Sequence, residues 1–457
     1  MKPSTSENSP PVKVGDIISL RAEKMAAGGD FVGHIEKFAV FITGSAPDEV
    51  GKVEITEVAR NFARGRLVEI EQPSPERVAP PCPHFAECGG CDLQHLNYPA
   101  QLAQKEQMVK ATLRHLGQVE EITLPPIIGM EDPWAYRNKA EYFAGSAETG
   151  ARFFGFLAKD SHQPIPISHC RVQHPLNEQI RLAAIELLNQ IGASEAEKAA
   201  LVKIIVRASF AFNKAQVTLV TLAKSEFLKT FAEALMQKIH QIRGVSFCLT
   251  RNEFSAHHSP AETLAGSPYL FETLGEYSFR LSPDSFFQVN PRQATTLTET
   301  VLANAWVKNG AIVIEGYSGV GTFLLPLAER ARHIIGIEDA ASALADARAN
   351  IGKPSHSNIR LYSGKVERIL PRLAAKERRA NVIVLDPPRK GGGRMVMAAA
   401  ARFKPRAIVL VSCDPATLAR DLGFLAALDY QAKQVQIIDM FPHTWHTECV
   451  ALCVPAG

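Results

Sequence analysis

Cys82, Cys88 and Cys91 crowd into ten residues, and a fourth cysteine, Cys170, follows His169 further along the chain. Eight cysteines among 457 residues are too sparse for a disulfide scaffold. Four thiolates, however, are the number that holds either a 4Fe-4S cluster or a structural zinc, and spacing alone leaves both open. Cys413 stands apart, in Val411-Ser-Cys413-Asp-Pro-Ala-Thr-Leu-Ala-Arg420. It follows a strand-length apolar run and precedes a helical stretch, and a helix amino terminus lowers a thiol's pKa and favours the nucleophilic thiolate. Taken by itself, a buried structural cysteine is the commoner reading. Cys248, Cys449 and Cys453 read as small apolar core residues.

Two further constellations sit at the ends of apolar runs. Glu315-Gly-Tyr-Ser-Gly-Val-Gly-Thr322 follows a strand and opens a helix, and the next strand ends on Glu338. Glycines there let the backbone turn tightly and approach a ligand, and the acidic residue can bond a ribose diol. The motif fits a dinucleotide or S-adenosylmethionine, and a plain strand-to-helix turn is the alternative. Asp386-Pro-Pro-Arg389 ends the fourth strand, where open α/β sheets bind ligands, and the prolines hold the carboxylate rigidly.

These residues need a frame. Over the last 150 residues, strand-length runs (AIVIE, HIIGIE, IRLYSG, NVIVLD, AIVLVSC) alternate with helical stretches, which predicts a parallel sheet with helices on both faces. QAKQVQIIDMF and ECVALCVPA have no helix between them, so a terminal antiparallel pair is expected. The fold class is therefore α/β, with a seven-stranded, Rossmann-like carboxyl-terminal domain at 296–457. Residues 12–71 alternate in short runs separated by turn material and predict a small β-barrel. Residues 72–295 mix amphipathic helices with strands and predict a central α+β domain that holds the cysteine site. Residues 1–11 lack periodicity and are expected to be a disordered lead-in.

Composition sets the class. With 46% hydrophobic and 21% charged residues the chain is globular, and a net charge of +3 does not by itself announce a nucleic-acid partner. No stretch approaches a membrane span, and MKPSTSENSPPVKV lacks the apolar core of a signal peptide, so a cytoplasmic location is expected.

Taken together the motifs resemble the RNA uridine-5 methyltransferase family over nearly the whole chain. The resemblance rests on Ser282-Pro-Asp-Ser-Phe-Phe-Gln288-Val-Asn290, the glycine loop through Thr322, Ile335-Gly-Ile-Glu338, Asp386-Pro-Pro-Arg389, Ser412-Cys413-Asp-Pro and Phe441-Pro-His-Thr-Trp-His446-Thr-Glu448. It implies an S-adenosylmethionine pocket of Gln288, Tyr317, Thr322, Glu338 and Asp386, with Cys413 as nucleophile and Glu448 as base. It also implies a 4Fe-4S cluster on Cys82, Cys88, Cys91 and Cys170, and an amino-terminal barrel that looks like a TRAM domain. The partner it implies is RNA, 23S ribosomal RNA first and tRNA second, with no membrane and no obligate protein partner. A silent RNA-binding protein is the alternative from another class, and the intact Cys413 and Glu448 argue against it.

Some positions depart from the family pattern. Glu315 and Ser318 stand where relatives often have Asp and Cys, and Lys365 stands where a polar or acidic adenosine contact is common. The barrel region 12–70 holds eight Lys and Arg against nine Asp and Glu, so its RNA contacts must be local, with Lys24, Arg60, Arg64 and Arg66 as candidates. Phe286 and Phe287 are expected either to wall the site or to join the core.

Overall fold

The computed structural model describes residues 10–117, 122–255, 258–352, 356–376 and 379–456. Residues 1–9 of the expected lead-in lie outside the described residues.

The barrel forms from six strands in the order Ile17–Arg21, Val50–Val58, Phe62–Gln72, Phe38–Thr43, Phe31–Ile35 and Lys24–Met25. Alternation does the sorting. Val53 and Ile55 turn inward onto Phe31, Val40, Ile42 and Ala63, while Lys52 and Glu54 stay partly exposed. The sheet curls back on itself where Glu23 N–H donates to Val32 O at 2.8 Å. Gly33 permits this approach, since a Cβ there would lie 2.6 Å from the Arg21 carbonyl oxygen.

In the carboxyl-terminal domain seven strands run Ile359–Ser363, Ala331–Glu338, Ala311–Gly316, Val382–Leu385, Ala407–Ser412, Glu448–Pro455, Tyr430–Ile438 from edge to edge. The first five are parallel, and Glu448–Pro455 inserts antiparallel between Ala407–Ser412 and Tyr430–Ile438. Both faces are covered, which is why the strands read as continuous apolar runs. Val409 and Val411 pack with Leu297, Val301 and Leu324 on one face. Ile408 and Leu410 pack with Leu370, Leu418 and Leu422 on the other.

The central sheet has the order Glu262–Gly266, Ile242–Leu249, Lys214–Thr221, Leu201–Ser209, Lys139–Ser146, Arg152–Leu157, Pro164–Ile165. Helices Pro175–Gln190 and Glu226–Lys238 cover one face, burying Tyr142, Ile204, Val206 and Leu219. The opposite face presents Lys139, Glu141, Lys203 and Arg207 to a cavity of about 1010 Å³.

Two segments lie differently from the sequence-based expectation. Helix Tyr98–Gly117, expected within the central domain, packs Met108, Val109 and Leu113 into the same cluster as Leu418, Leu422 and Leu425 of the last domain. The chain that follows it extends that domain's sheet, with Thr123 bridging Gln434 and Ile128 bridging Ile438. An amphipathic helix announces that it has an apolar face but not which partner covers it. The expected boundary at 295/296 falls inside helix Pro291–Ala305, whose Asn290 cap accepts from Gln293 N–H at 3.3 Å.

Candidate active site

The carboxyl ends of the parallel strands gather the chemistry at one rim. After Ala311–Gly316 the chain turns through Tyr317 (φ 65°), Gly319 (φ 54°) and Gly321 (φ 97°), all left-handed. The Glu338 carboxylate is fixed by three backbone N–H donors, Asp339 and Ala340 to Oε1 and Gly319 to Oε2, each at 2.8 Å. With one bond, Oε2 keeps acceptor capacity for a diol hydroxyl.

Glu315 is buried and its Oε2 has no hydrogen-bond partner, and the buried Ser318 Oγ is in the same position. Such orphaned atoms beside a glycine loop fit a polar ligand. Burial pushes the Glu315 carboxyl well above the carboxylate range, and nearby Asp386 and Glu338 push it further. A cationic ligand relieves that repulsion, and S-adenosylmethionine carries both an ammonium and a sulfonium.

Tyr317 is half-buried and its hydroxyl donates to Glu367 Oε1 at 3.3 Å. Lys365, the departure of concern, stands at the amino-terminal cap position of helix Val366–Ala375 without a side-chain capping bond and is exposed. The acidic group that meets Tyr317 at this edge is Glu367, two residues later and outside the recognisable motifs. Thr322 is partly buried at the end of the glycine loop.

Gln288 is buried on the loop 282–290, which both neighbouring domains grip. Arg207 donates to Ser285 O at 2.7 Å and Asn138 Nδ2 to Gln288 O at 3.1 Å. From the other side, Asp346 accepts from Ser282 N–H at 2.6 Å and Ser285 Oγ at 2.6 Å. Phe287 enters the core against Phe279, whereas Phe286 is 67% exposed at the cavity mouth. Of the two rings, only Phe286 is free to meet a nucleotide.

Asp386, Cys413 and Glu448 stand at the rim ends of three adjacent strands. Burial pushes Asp386 up to about 7. Burial also drives Glu448 well above its usual range, with Asp386 adding and Arg389 opposing. For Cys413 the structure reverses the expectation. Burial pushes the thiol up to about 11, Glu448 and Asp386 add to it, and Arg389 pulls the other way. At the start of the following helix Asp414 occupies the cap, accepting from Thr417 N–H at 2.9 Å. Arg389, present in the motif but without an expected role, is a cation that acts on both Cys413 and Glu448.

Cys82, Cys88, Cys91 and Cys170 are free thiols that line the cavity against the central sheet. Cys91 lies close enough to the other three for their charges to act on it, and burial pushes Cys170 up to about 12. Their loops are pinned. Gly89 N–H donates to Leu157 O at 3.0 Å, and Cys170 N–H to Glu178 Oε2 at 3.0 Å. Among the described residues, no group of three or more His, Cys, Asp or Glu side chains is arranged to hold a metal ion as it stands. Cys248, Cys449 and Cys453 are buried.

On the barrel, Arg66 pairs with Glu54 at 2.8 Å, and Arg64 pairs with Asp30 at 3.1 Å and lies over Phe41. Lys24 and Arg60 are exposed.

The strand order, glycine loop and rim carboxylates define a class I, S-adenosylmethionine-dependent methyltransferase carrying an extra β-barrel. The sequence model of the tRNA (uracil-5-)-methyltransferase family matches residues 97–454, and that of the TRAM domain matches residues 11–68. An uncharacterized RNA methyltransferase of Halalkalibacterium halodurans is 34% identical over 98% of this chain and 99% of its own. One from Clostridium tetani is 35% identical over 98% of both chains. Among solved structures, the Pyrococcus abyssi tRNA (uracil-54, C5)-methyltransferase in complex with S-adenosyl-L-homocysteine shares the fold. Its TM-score is 0.73 at 24% identity, over 95% of this chain and 99% of that one. The chain belongs to the tRNA (uracil-5-)-methyltransferase family of S-adenosylmethionine-dependent RNA methyltransferases. Among the described residues no helix is long and apolar enough to cross a membrane.

Proposed function

We propose that this enzyme methylates carbon 5 of a uridine through a transient bond between Cys413 and carbon 6, with 23S ribosomal RNA as the first candidate substrate. The observation that carries the reading is the convergence of Cys413, Glu448, Asp386 and Arg389 at neighbouring strand ends, close enough for each charge to act on the thiol. Carbon 5 of uracil is a weak nucleophile, so the ring must be activated first. Cys413 gives up its proton to solvent, the thiolate sulfur adds to carbon 6, and the displaced ring π electrons make an enolate. S-adenosylmethionine, when bound, supplies the methyl group from its sulfonium. Carbon 5 takes up that methyl group, and Glu448 then accepts the carbon 5 proton. The double bond reforms as the carbon–sulfur bond breaks, and the electron pair returns to Cys413.

Gln288, Tyr317, Thr322, Glu338 and Asp386 form the methyl-donor pocket in this reading. A target base must leave its stack to reach a half-buried thiol, and Phe286 offers an exposed ring on the cavity wall. A ribosomal target is favoured by the four-cysteine site together with the barrel. The neighbour from Pyrococcus acts on tRNA, which makes tRNA the second candidate.

The same reading gives Cys82, Cys88, Cys91 and Cys170 a 4Fe-4S cluster. Four free thiols on one cavity would supply the donor set, and a cluster bound there would organise the cysteine loops. Anaerobically purified protein is expected to carry about four iron and four sulfide per chain; zinc at one per chain would replace the cluster by a structural ion.

Tritium release from 5-tritiated uridine in 23S ribosomal RNA and tRNA transcripts, with and without S-adenosylmethionine, tests the activity. Donor-dependent release from one transcript names the substrate. No release from either sinks the proposal.

A further inference from the structure

Residues 439–447 join the last two strands and deliver the chain to Glu448 without helix or strand of their own. Side chains from earlier in the sequence hold it. Tyr136 donates its hydroxyl to Pro442 O at 3.0 Å, and Gln101 Oε1 accepts from His443 N–H at 3.0 Å. Asp92 and Leu93, immediately after Cys91, donate their amides to His443 O at 2.9 and 3.0 Å. At the start of the loop, Lys105 Nζ lies 2.6 Å from Asp439 Oδ1 and 3.0 Å from Phe441 O. Tyr98 donates to the other Asp439 oxygen at 2.8 Å.

The Lys105–Asp439 pair has no exposed side-chain surface. Taking two charges out of water costs more than such a pair ordinarily returns, so stability is a weak reason for it to exist. What it does supply is one fixed geometry, because an ammonium with two oxygen acceptors and a carboxylate with two donors leave the loop a single way to start. Helix Tyr98–Gly117 carries Tyr98, Gln101 and Lys105 at helical spacing, so three of the clamps come from one rigid face.

We infer that Lys105, acting through Asp439 and the Phe441 carbonyl, is a positioning residue that sets the Glu448 carboxylate for removal of the carbon 5 proton. This rests on Glu448 being the base. It has a specific kinetic consequence. Addition of Cys413 to carbon 6 and methyl uptake at carbon 5 do not use Glu448. Only the last step does, in which the proton passes to Glu448, the ring double bond reforms and the sulfur leaves. Displacing the loop therefore slows resolution and leaves a methylated protein–RNA adduct standing.

The experiment compares wild-type protein with Lys105→Met and with the double variant Lys105→Met/Asp439→Leu, which leaves no lone charge buried. Glu448→Gln and Cys413→Ala run beside them. Single-turnover reactions with methyl-labelled donor are quenched in detergent, and labelled protein–RNA adduct is followed in time, with RNA and donor binding and thermal melting measured in parallel. In the folded Lys105 variants the labelled adduct is expected to persist about ten- to a hundredfold longer, with both binding constants within about twofold of wild type. A merely structural role would lower melting temperature and activity without this accumulation. If Glu448→Gln accumulates adduct and the folded double variant does not, the inference is overturned. If Glu448→Gln accumulates none, the base assignment fails first and the inference falls with it.

Discussion

Cys413 is the residue on which the chemistry turns, and its surroundings set its pH behaviour. Because the thiol lies at about 11, only a small fraction is thiolate near neutrality, and that fraction grows with pH. Adduct formation in single turnover should therefore rise about tenfold per pH unit from roughly pH 7 to 9. A flat profile would mean that bound RNA, or a proton acceptor, ionises the thiol. Cys413→Ala should abolish both adduct and methylation, a loss of about a thousandfold or more, without changing donor binding. The cysteine's identity as a candidate was legible from its place after a strand. The sign of its pKa shift was not, because the burial that raises it most, and the charges of Glu448 and Asp386 that add to it, exist only once the sheet is assembled.

Helix Tyr98–Gly117 matters at the next scale, since it joins the carboxyl-terminal core from a distance in sequence. Leu113 is fully buried there, and Leu113→Ala should cost about 2–4 kcal/mol by chemical denaturation, in the same transition as the methyltransferase sheet. An independent transition would show that the helix folds with the central domain instead. The periodicity predicted the helix itself. Its partner, helix Pro415–Ala426, lies some three hundred residues away and leaves no trace in local pattern.

Across the whole molecule, the cavity brings the central sheet, the cysteine loops, Phe286 and His446 to one surface. The barrel contributes differently, since Arg66 is paired with Glu54 while Lys24 and Arg60 are exposed. Lys24→Ala and Arg60→Ala should each flatten the salt dependence of RNA binding by about one unit of slope, the increment that a single neutralised phosphate supplies. Arg66→Ala should leave the slope nearly unchanged. Filter binding between low and moderate salt separates these outcomes, and equal slopes in all three would remove the barrel from the RNA path.

The strand and helix alternation, the glycine turn and the placing of Glu338, Asp386 and Cys413 at strand ends were legible in local pattern, because each depends on neighbours within one unit of chain. Folding placed Phe287 in the core and Phe286 outside it, brought Glu367 rather than Lys365 to Tyr317, and set Lys105 against the loop before Glu448. Those outcomes depend on burial and on charges meeting across long sequence separations. A pattern of residue types records neither until the chain has closed on itself.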